Sequence, residues 1–235
     1  MASIIDSFRE TFTDNMSFFK LLTFAVPLYF AHDLYLKNPQ NPTGALWLAG
    51  ITIFFLFGFL IKVTGEVLNE GDTVLPFLNP LKLALASLKG IIAIGPITWL
   101  SASIATYVIP KVNVIGWFNI TFQIVIWLIV IGIALTSFLM FVKNEKIADS
   151  YNLKVLFNKS VDLSIAIIFF IFQLTLINIP TNVFIGYIIL VLFGFGPLFY
   201  FFAAYAIVFN VAVTGHYMAQ LQYEVLGYDK NKMDF

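Results

Sequence analysis

The chain has 235 residues, of which 60% are hydrophobic and only 11% charged, with 13 Lys and Arg balancing 13 Asp and Glu. A soluble domain carries roughly 25% charged residues, so a water-soluble globule is excluded, and a net charge of zero gives no footing for nucleic acid. The lack of cysteine excludes disulfides, thiolate metal sites and thiol catalysis.

A bilayer core of ~30 Å needs about 20 apolar residues in a helix. Ahead of the first such run, Ile4, Ile5, Phe8 and Phe12 share one helical face, with Asp6, Arg9, Glu10 and Thr13 mostly opposite. The first predicted span is Ser17–Tyr35, with Pro27 inside it. Asp6, Glu10 and Asp14 spoil a positive leader, and no small-x-small site follows, so this span is expected to be retained.

The second span is Ala45–Val63. Glu66, Glu70 and Asp72 cluster after it, a set that could hold a cation or be neutralised by Lys62 and Lys82. Asn79 suits an N-cap and Pro80 the first helical position. Leu81, Ala84, Leu85 and Leu88 then form an apolar stripe beside Lys82 and Lys89.

The third span, Gly90–Ile109, is the most polar, with Thr98, Ser101 and Ser103, and it contains Pro96. The fourth is Trp117–Val142. Leu153, Leu156 and Phe157 begin another stripe beside Lys154 and Lys159, and the fifth span, Val161–Ile179, stops at Pro180.

The last tract, Val183 to about His216, is too long for one straight crossing. Gly194-Phe195-Gly196-Pro197 lies inside it, and proline removes a donor and clashes with the preceding turn. A broken helix is predicted there, either one kinked helix or a re-entrant half-helix followed by a span.

Counting Lys and Arg on alternate sides gives 11 against 2, so six spans with both ends cytoplasmic are expected. Trp47, Trp117, Tyr35 and Tyr107 mark the outer interface. Phe8-Arg9, Leu81-Lys82 and Leu153-Lys154 recur 73 and then 72 residues apart. The reading is all-α: a polytopic bundle of six transmembrane helices with interfacial amphipathic helices and a threefold repeat of about 72 residues. Residues 1–235 would be a single membrane domain with units near 3–74, 75–147 and 148–226, and 227–235 would be a short cytoplasmic tail.

Gly58-Phe59-Leu60-Ile61, Val67-Leu68-Asn69-Glu70-Gly71, Leu75-Pro76, Leu88-Lys89-Gly90 and Pro96 carry a resemblance, as do Pro197-Leu198-Phe199-Tyr200 and Gly215-His216-Tyr217-Met218-Ala219-Gln220. Through them the chain resembles a prokaryotic integral-membrane family known only as a domain of unknown function. That family usually has a Trp between acidic residues after the Leu-Pro pair, where Phe77, Leu78 and Asn79 stand here. The resemblance implies a six-helix bundle and supplies no activity. The alternation of amphipathic helices with spans is also similar to the membrane region of some glycerophosphodiester phosphodiesterases.

Intramembrane charges mark proton and ion pathways, and these spans hold almost none. His32, Asp33 and Lys37 fall at an outer helix end, read as wetted by headgroups. His216, Gln220 and Glu224 recur every four residues and read as a solvated face rather than a ligand stripe. No phosphate loop, GxSxG elbow or HExxH helix occurs. Gln123, Gln173, Gly194, Gly196 and Pro197 remain as the candidate solute or packing site, since a broken helix exposes backbone carbonyls.

The expectation is a non-enzymatic membrane protein of the prokaryotic inner membrane, without cofactor, catalytic residue or metal. It would act in envelope organisation, with the lipid bilayer, a membrane-protein partner or a second copy as its partners. The alternative is a small transporter or channel for an uncharged or amphiphilic solute.

Overall fold

In hydrocarbon every backbone N–H and C=O must pair within the protein, so long apolar runs fold as helices. The computed structural model describes residues 3–13, 16–69, 75–111, 117–178 and 182–226. Among them are eight α-helices and no strand: α1 Ile4–Thr13, α2 Ser17–Lys37, α3 Thr43–Asn69, α4 Pro80–Val108, α5 Trp117–Asn144, α6 Leu153–Asn178, α7 Phe184–Phe193 and α8 Pro197–Leu226. Short 3₁₀ turns follow α4 at Ile109–Lys111 and α5 at Ile147–Tyr151. Glu70, Asp72, Pro180, Lys230 and Lys232 lie outside the described residues.

Five helices, α3, α4, α5, α6 and α8, are long and apolar enough to cross a membrane. The chain therefore has the make-up of a multi-pass membrane protein. α2, with 21 residues and the charges Lys20, Asp33 and Lys37, is not one of the five.

Asn79 caps α4 as its sequence implies, its side chain accepting from the backbone N–H of Leu81 (3.1 Å) and Lys82 (3.2 Å). The helix then runs without interruption to Val108, and α6 likewise runs from Leu153 to Asn178. The amphipathic stretches at Pro80 and Leu153 are thus first turns of long helices, not separate interfacial helices. Lys89-Gly90 contains nothing that ends a helix, and a charge marks where apolar sequence begins rather than where helix begins. Only α1 stands apart, and it packs mainly on α8. Of the expected apolar face, Ile4 is buried and Phe8 and Phe12 pack on the Phe209 ring of α8 at 4.7 and 4.9 Å, whereas Ile5 points outward; Ser7 and Thr11 are buried beside them.

The bundle is a ring around a central triad. α3, α5 and α8 touch one another, while α2 lies between α3 and α8, α4 between α3 and α5, and α6 between α5 and α8. Phe59, Ile61, Val63, Leu139, Phe141, Val142, Val208, Ala212 and Val213 fill the centre, each fully buried. We call the end bearing α1, residues 75–79 and the 145–152 link basal, and the end bearing the α2–α3 turn distal. The buried parts of α5 and α8 lie toward the basal end, and the distal turns of α5 are largely exposed.

Two junctions use the same device. A Cβ on Gly58 of α3 would overlap the Leu83 carbonyl of α4 and Ser87 Oγ, which donates to the Phe54 carbonyl at 2.5 Å. A Cβ on Gly132 of α5 would overlap the Ser160 carbonyl of α6 and Ser164 Oγ, which donates to the Leu128 carbonyl at 2.8 Å. In both, a serine binds the carbonyl four residues before the glycine and lies four residues after the crowding carbonyl. Small residues bring helices close in membranes, where hydrogen bonds can then form between them. The third junction, α8 with α2, uses ring contacts instead: Phe18 with Tyr205 at 5.6 Å and Tyr29 with Phe201 at 6.0 Å.

The predicted interruption at Gly194–Pro197 is present, but as a hairpin rather than a kink. Gly194 has φ +69°, the left-handed region that glycine enters without a Cβ penalty. α7 folds back along α8, so that a Cβ on Gly186 would lie 3.5 Å from the Phe202 ring. Tyr200 packs on His32, near the distal end of α2, with ring centroids 4.4 Å apart. The turn therefore stands at the distal end, level with the α2–α3 turn. At ~1.5 Å per residue, α7 is roughly 15 Å long, half of a bilayer core.

Candidate functional site

The polar groups gather at the basal end, in three places where the second helix of one pair meets the start of the next.

The first is a cavity of about 460 Å³ among the end of α3, the start of α4 and the end of α5. Lys62 and Glu66 line it from α3, Lys82 from α4, and Glu145 closes it. Glu145 has φ +50°, a conformation that costs a non-glycine residue roughly 1–2 kcal/mol. This bend ends α5 and lets the carboxylate pair with Lys62. Lys62 and Lys82 line the same cavity as Glu66 of the predicted cluster, and the ion pair of Lys62 is with Glu145. Two lysines and two acids leave this cavity with no net charge.

The second is a cavity of about 470 Å³ among the end of α5, the start of α6 and Leu226 of α8. Lys143, Lys154 and Lys159 line it, against one acid, Asp149. Asp149 accepts a hydrogen bond from Asn144 Nδ2 at 3.0 Å. Lys82 and Lys154 are 72 residues apart and both stand in the first turn of their helices, two residues past the first in α4 and one past it in α6. Lys159 of this cavity also lies 3.8 Å from Asp162 Oδ2 of its own helix.

In the third place α1 covers α8, and no solvated face exists there. His216 is 1% exposed, and its Nδ1 lies 3.3 Å from Glu10 Oε2, at ion-pair range when the imidazole is protonated. Gln220 Oε1 accepts from the Ser3 backbone N–H at 2.6 Å, and its Nε2 donates to Ser7 Oγ at 3.0 Å. Only Glu224 of the predicted stripe is exposed. Periodicity shows that these residues share a face but not what covers it, and the cover comes from the other end of the sequence. Nearby, Gln222 is wholly buried, and neither of its amide atoms meets a hydrogen-bonding group among the described residues. Tyr223 Oη donates to the Leu68 carbonyl at 2.8 Å, tying α8 to the last turn of α3, and Lys20 Nζ donates to the Leu75 carbonyl at 2.6 Å, tying α2 to the link before α4.

The sequence-derived set is not assembled. Gln123 is half-buried on α5 and donates within its own helix to Asn119 at 3.2 Å. Gln173 lines a cavity of about 180 Å³ between α6 and α8 with Tyr217 and Glu224, a cavity that contains none of the other four residues. Gly194, Gly196 and Pro197 form the distal turn, whose carbonyls are served locally. The Gly194 oxygen accepts from Gly196 N–H at 2.9 Å, and the Gly196 oxygen from Phe199 N–H at 3.0 Å.

No group of three or more His, Cys, Asp or Glu that could hold a metal occurs among the described residues. No family model, curated protein or solved structure matches the chain.

Proposed function

We propose that the chain is a six-span, non-enzymatic protein of the prokaryotic inner membrane, with cytoplasmic termini, that serves as a structural or partner subunit and not as a conduit. The observation that carries this reading is the filled centre. Large side chains of the triad helices, Phe59 of α3 and Phe141 of α5, are wholly buried in one apolar core with Val208 and Val213 of α8, and α3, α5 and α8 touch one another. A conduit for a solute needs polar space through that region.

The sixth crossing is α2. Its 21 residues reach roughly 31 Å at ~1.5 Å each, it packs on α3 and α8, and a short turn joins it to α3. Its charges sit near its ends, Lys20 bonded at the basal side and Asp33 paired with Lys37 at 2.6 Å on the distal side. The basic residues concentrate at the basal end, which favours a cytoplasmic position for it.

Three helix pairs, α2–α3, α4–α5 and α6–α8, repeat around the ring, each giving its second helix to the triad. The matched Gly58–Ser87 and Gly132–Ser164 junctions support this threefold unit. The resemblance to a family of unknown function agrees with the architecture and adds no activity.

The test is flux. Proteoliposomes should swell under osmotic shock with glycerol or small sugars no faster than protein-free liposomes. Swelling that rises with protein content would overturn the reading in favour of a transporter.

A further inference from the structure

We propose that the cavity between α6 and α8 is a blind, water-filled inlet that reaches from the basal surface into the membrane interior. The proposal goes beyond the partner-subunit reading above and stands whichever way the flux test falls.

Unpaired polar groups are the first argument. Tyr217 lines the cavity from α8, is 2% exposed, and its hydroxyl makes no hydrogen bond among the described residues. Gln173 lines it from α6, and its Oε1 is buried without a partner. Polar groups taken out of water and left unpaired cost free energy, and hydrocarbon tails cannot relieve that cost. Water relieves it, being donor and acceptor at once. Room is the second. The cavity of about 180 Å³ holds several waters, each with a share of ~30 Å³ in the liquid. Access is the third. Asp162 and Glu224, both exposed, line the basal end of the cavity, where Asp162 also pairs with Lys159 at 3.8 Å, so this end is wet. Gln173 stands eleven residues further along α6 than Asp162, roughly 16 Å at ~1.5 Å each. It is five residues short of the end of that helix at Asn178. The inlet therefore stops inside the membrane, which a passage across it would not.

X-ray radiolysis of the full-length protein in neutral detergent splits bound water in place. The hydroxyl radicals oxidise the side chains beside it, and mass spectrometry reads the products. Leu221 lines the cavity and is 2% exposed, while Leu139 is fully buried in the central core. Leu221 and Tyr217 should be oxidised at doses that leave Leu139 and Phe141 intact. Gln173→Leu combined with Tyr217→Phe should bring Leu221 down to the rate of Leu139, with Leu139 unchanged as the check on the fold. Gln173→Leu alone, at a half-buried site, should lower the Leu221 rate part of the way. Equal rates at Leu221 and Leu139 in the unaltered protein would overturn the proposal and show a dry cavity closed by lipid or detergent tails. An unchanged Leu221 rate in both variants would overturn it too, since these groups would then hold no water. Protection of Leu221 that grows with protein concentration would show a second copy seated in the groove and sink the assignment. The measurement uses no solute gradient, so its failure is separate from any failure of the flux test.

Discussion

Gly132 is the most demanding position in the bundle. A methyl group there would overlap both the Ser160 carbonyl and Ser164 Oγ. Ordinary C···O contact is about 3.3–3.6 Å, so α5 and α6 would have to separate at their crossing. Overpacking of this kind costs typically about 1–3 kcal/mol. Separation also weakens the Ser164 Oγ bond to the Leu128 carbonyl, now 2.8 Å, and such interhelical bonds are worth about 0.6 kcal/mol on average in membranes. The greater helix propensity of alanine returns up to ~1 kcal/mol. Gly132→Ala should therefore destabilise by about 1–3 kcal/mol, with overpacking the largest contribution. Reversible unfolding in mixed SDS and mild-detergent micelles, followed by circular dichroism, measures this. Gly50→Ala and Gly95→Ala are the controls, because a Cβ at either meets no atom within 4 Å. They should be unchanged or slightly stabilised. If Gly132→Ala matches those controls, the α5–α6 approach is looser than described, and the reasoning from small-residue packing fails with it.

Gly58→Ala should behave like Gly132→Ala, since the Leu83 carbonyl and Ser87 Oγ crowd it in the same way. Gln220→Leu removes both hydrogen bonds that hold Ser3 and Ser7, so amide exchange in α1 should accelerate roughly tenfold, at about 1.4 kcal/mol for the pair, with α3 and α5 unaffected. Equal acceleration throughout the bundle would show that α1 is not a separable latch. The chain has no native cysteine, so single probes report topology cleanly. A membrane-impermeant maleimide added outside should label Gln40→Cys and miss Asn158→Cys, and the opposite pattern would invert the orientation.

The sequence revealed those features that depend on a single segment. Apolar length placed α5 and the start of α3 to within two residues, because lipid demands continuous apolar helix, while α3 continues six residues past the expected end at Val63. The Asn79-Pro80 start was readable from capping chemistry, and the Gly194–Pro197 interruption from the loss of a donor. What could not be read depends on a second segment. A kink and a hairpin share one sequence, and the φ of Gly194 chooses between them. His216 looked solvated because its cover, α1, lies some two hundred residues away in the chain. Gly132 sits in an apolar run like any other glycine, and only the approach of Ser160 and Ser164 gives it a role. The basal cavities were half legible: their lysines counted toward topology, but the pairing of Lys62 with Glu145, and the gathering of Lys143, Lys154 and Lys159 around one cavity, arise from helices brought together by packing.

On the threefold reading, the ring keeps its packing and varies its basal junctions, and the variation is ordered. Where α4 begins, lysines meet equal acid and pair internally. Where α6 begins, the lysine at the matching position stands in a cavity lined also by Lys159, whose ammonium lies 3.8 Å from Asp162 in the next turn of the same helix. Where the first unit begins, a separate helix fills the place and turns its polar groups inward onto His216 and Gln220. Packing alone would not separate the three, since the same Gly–Ser device holds two of them.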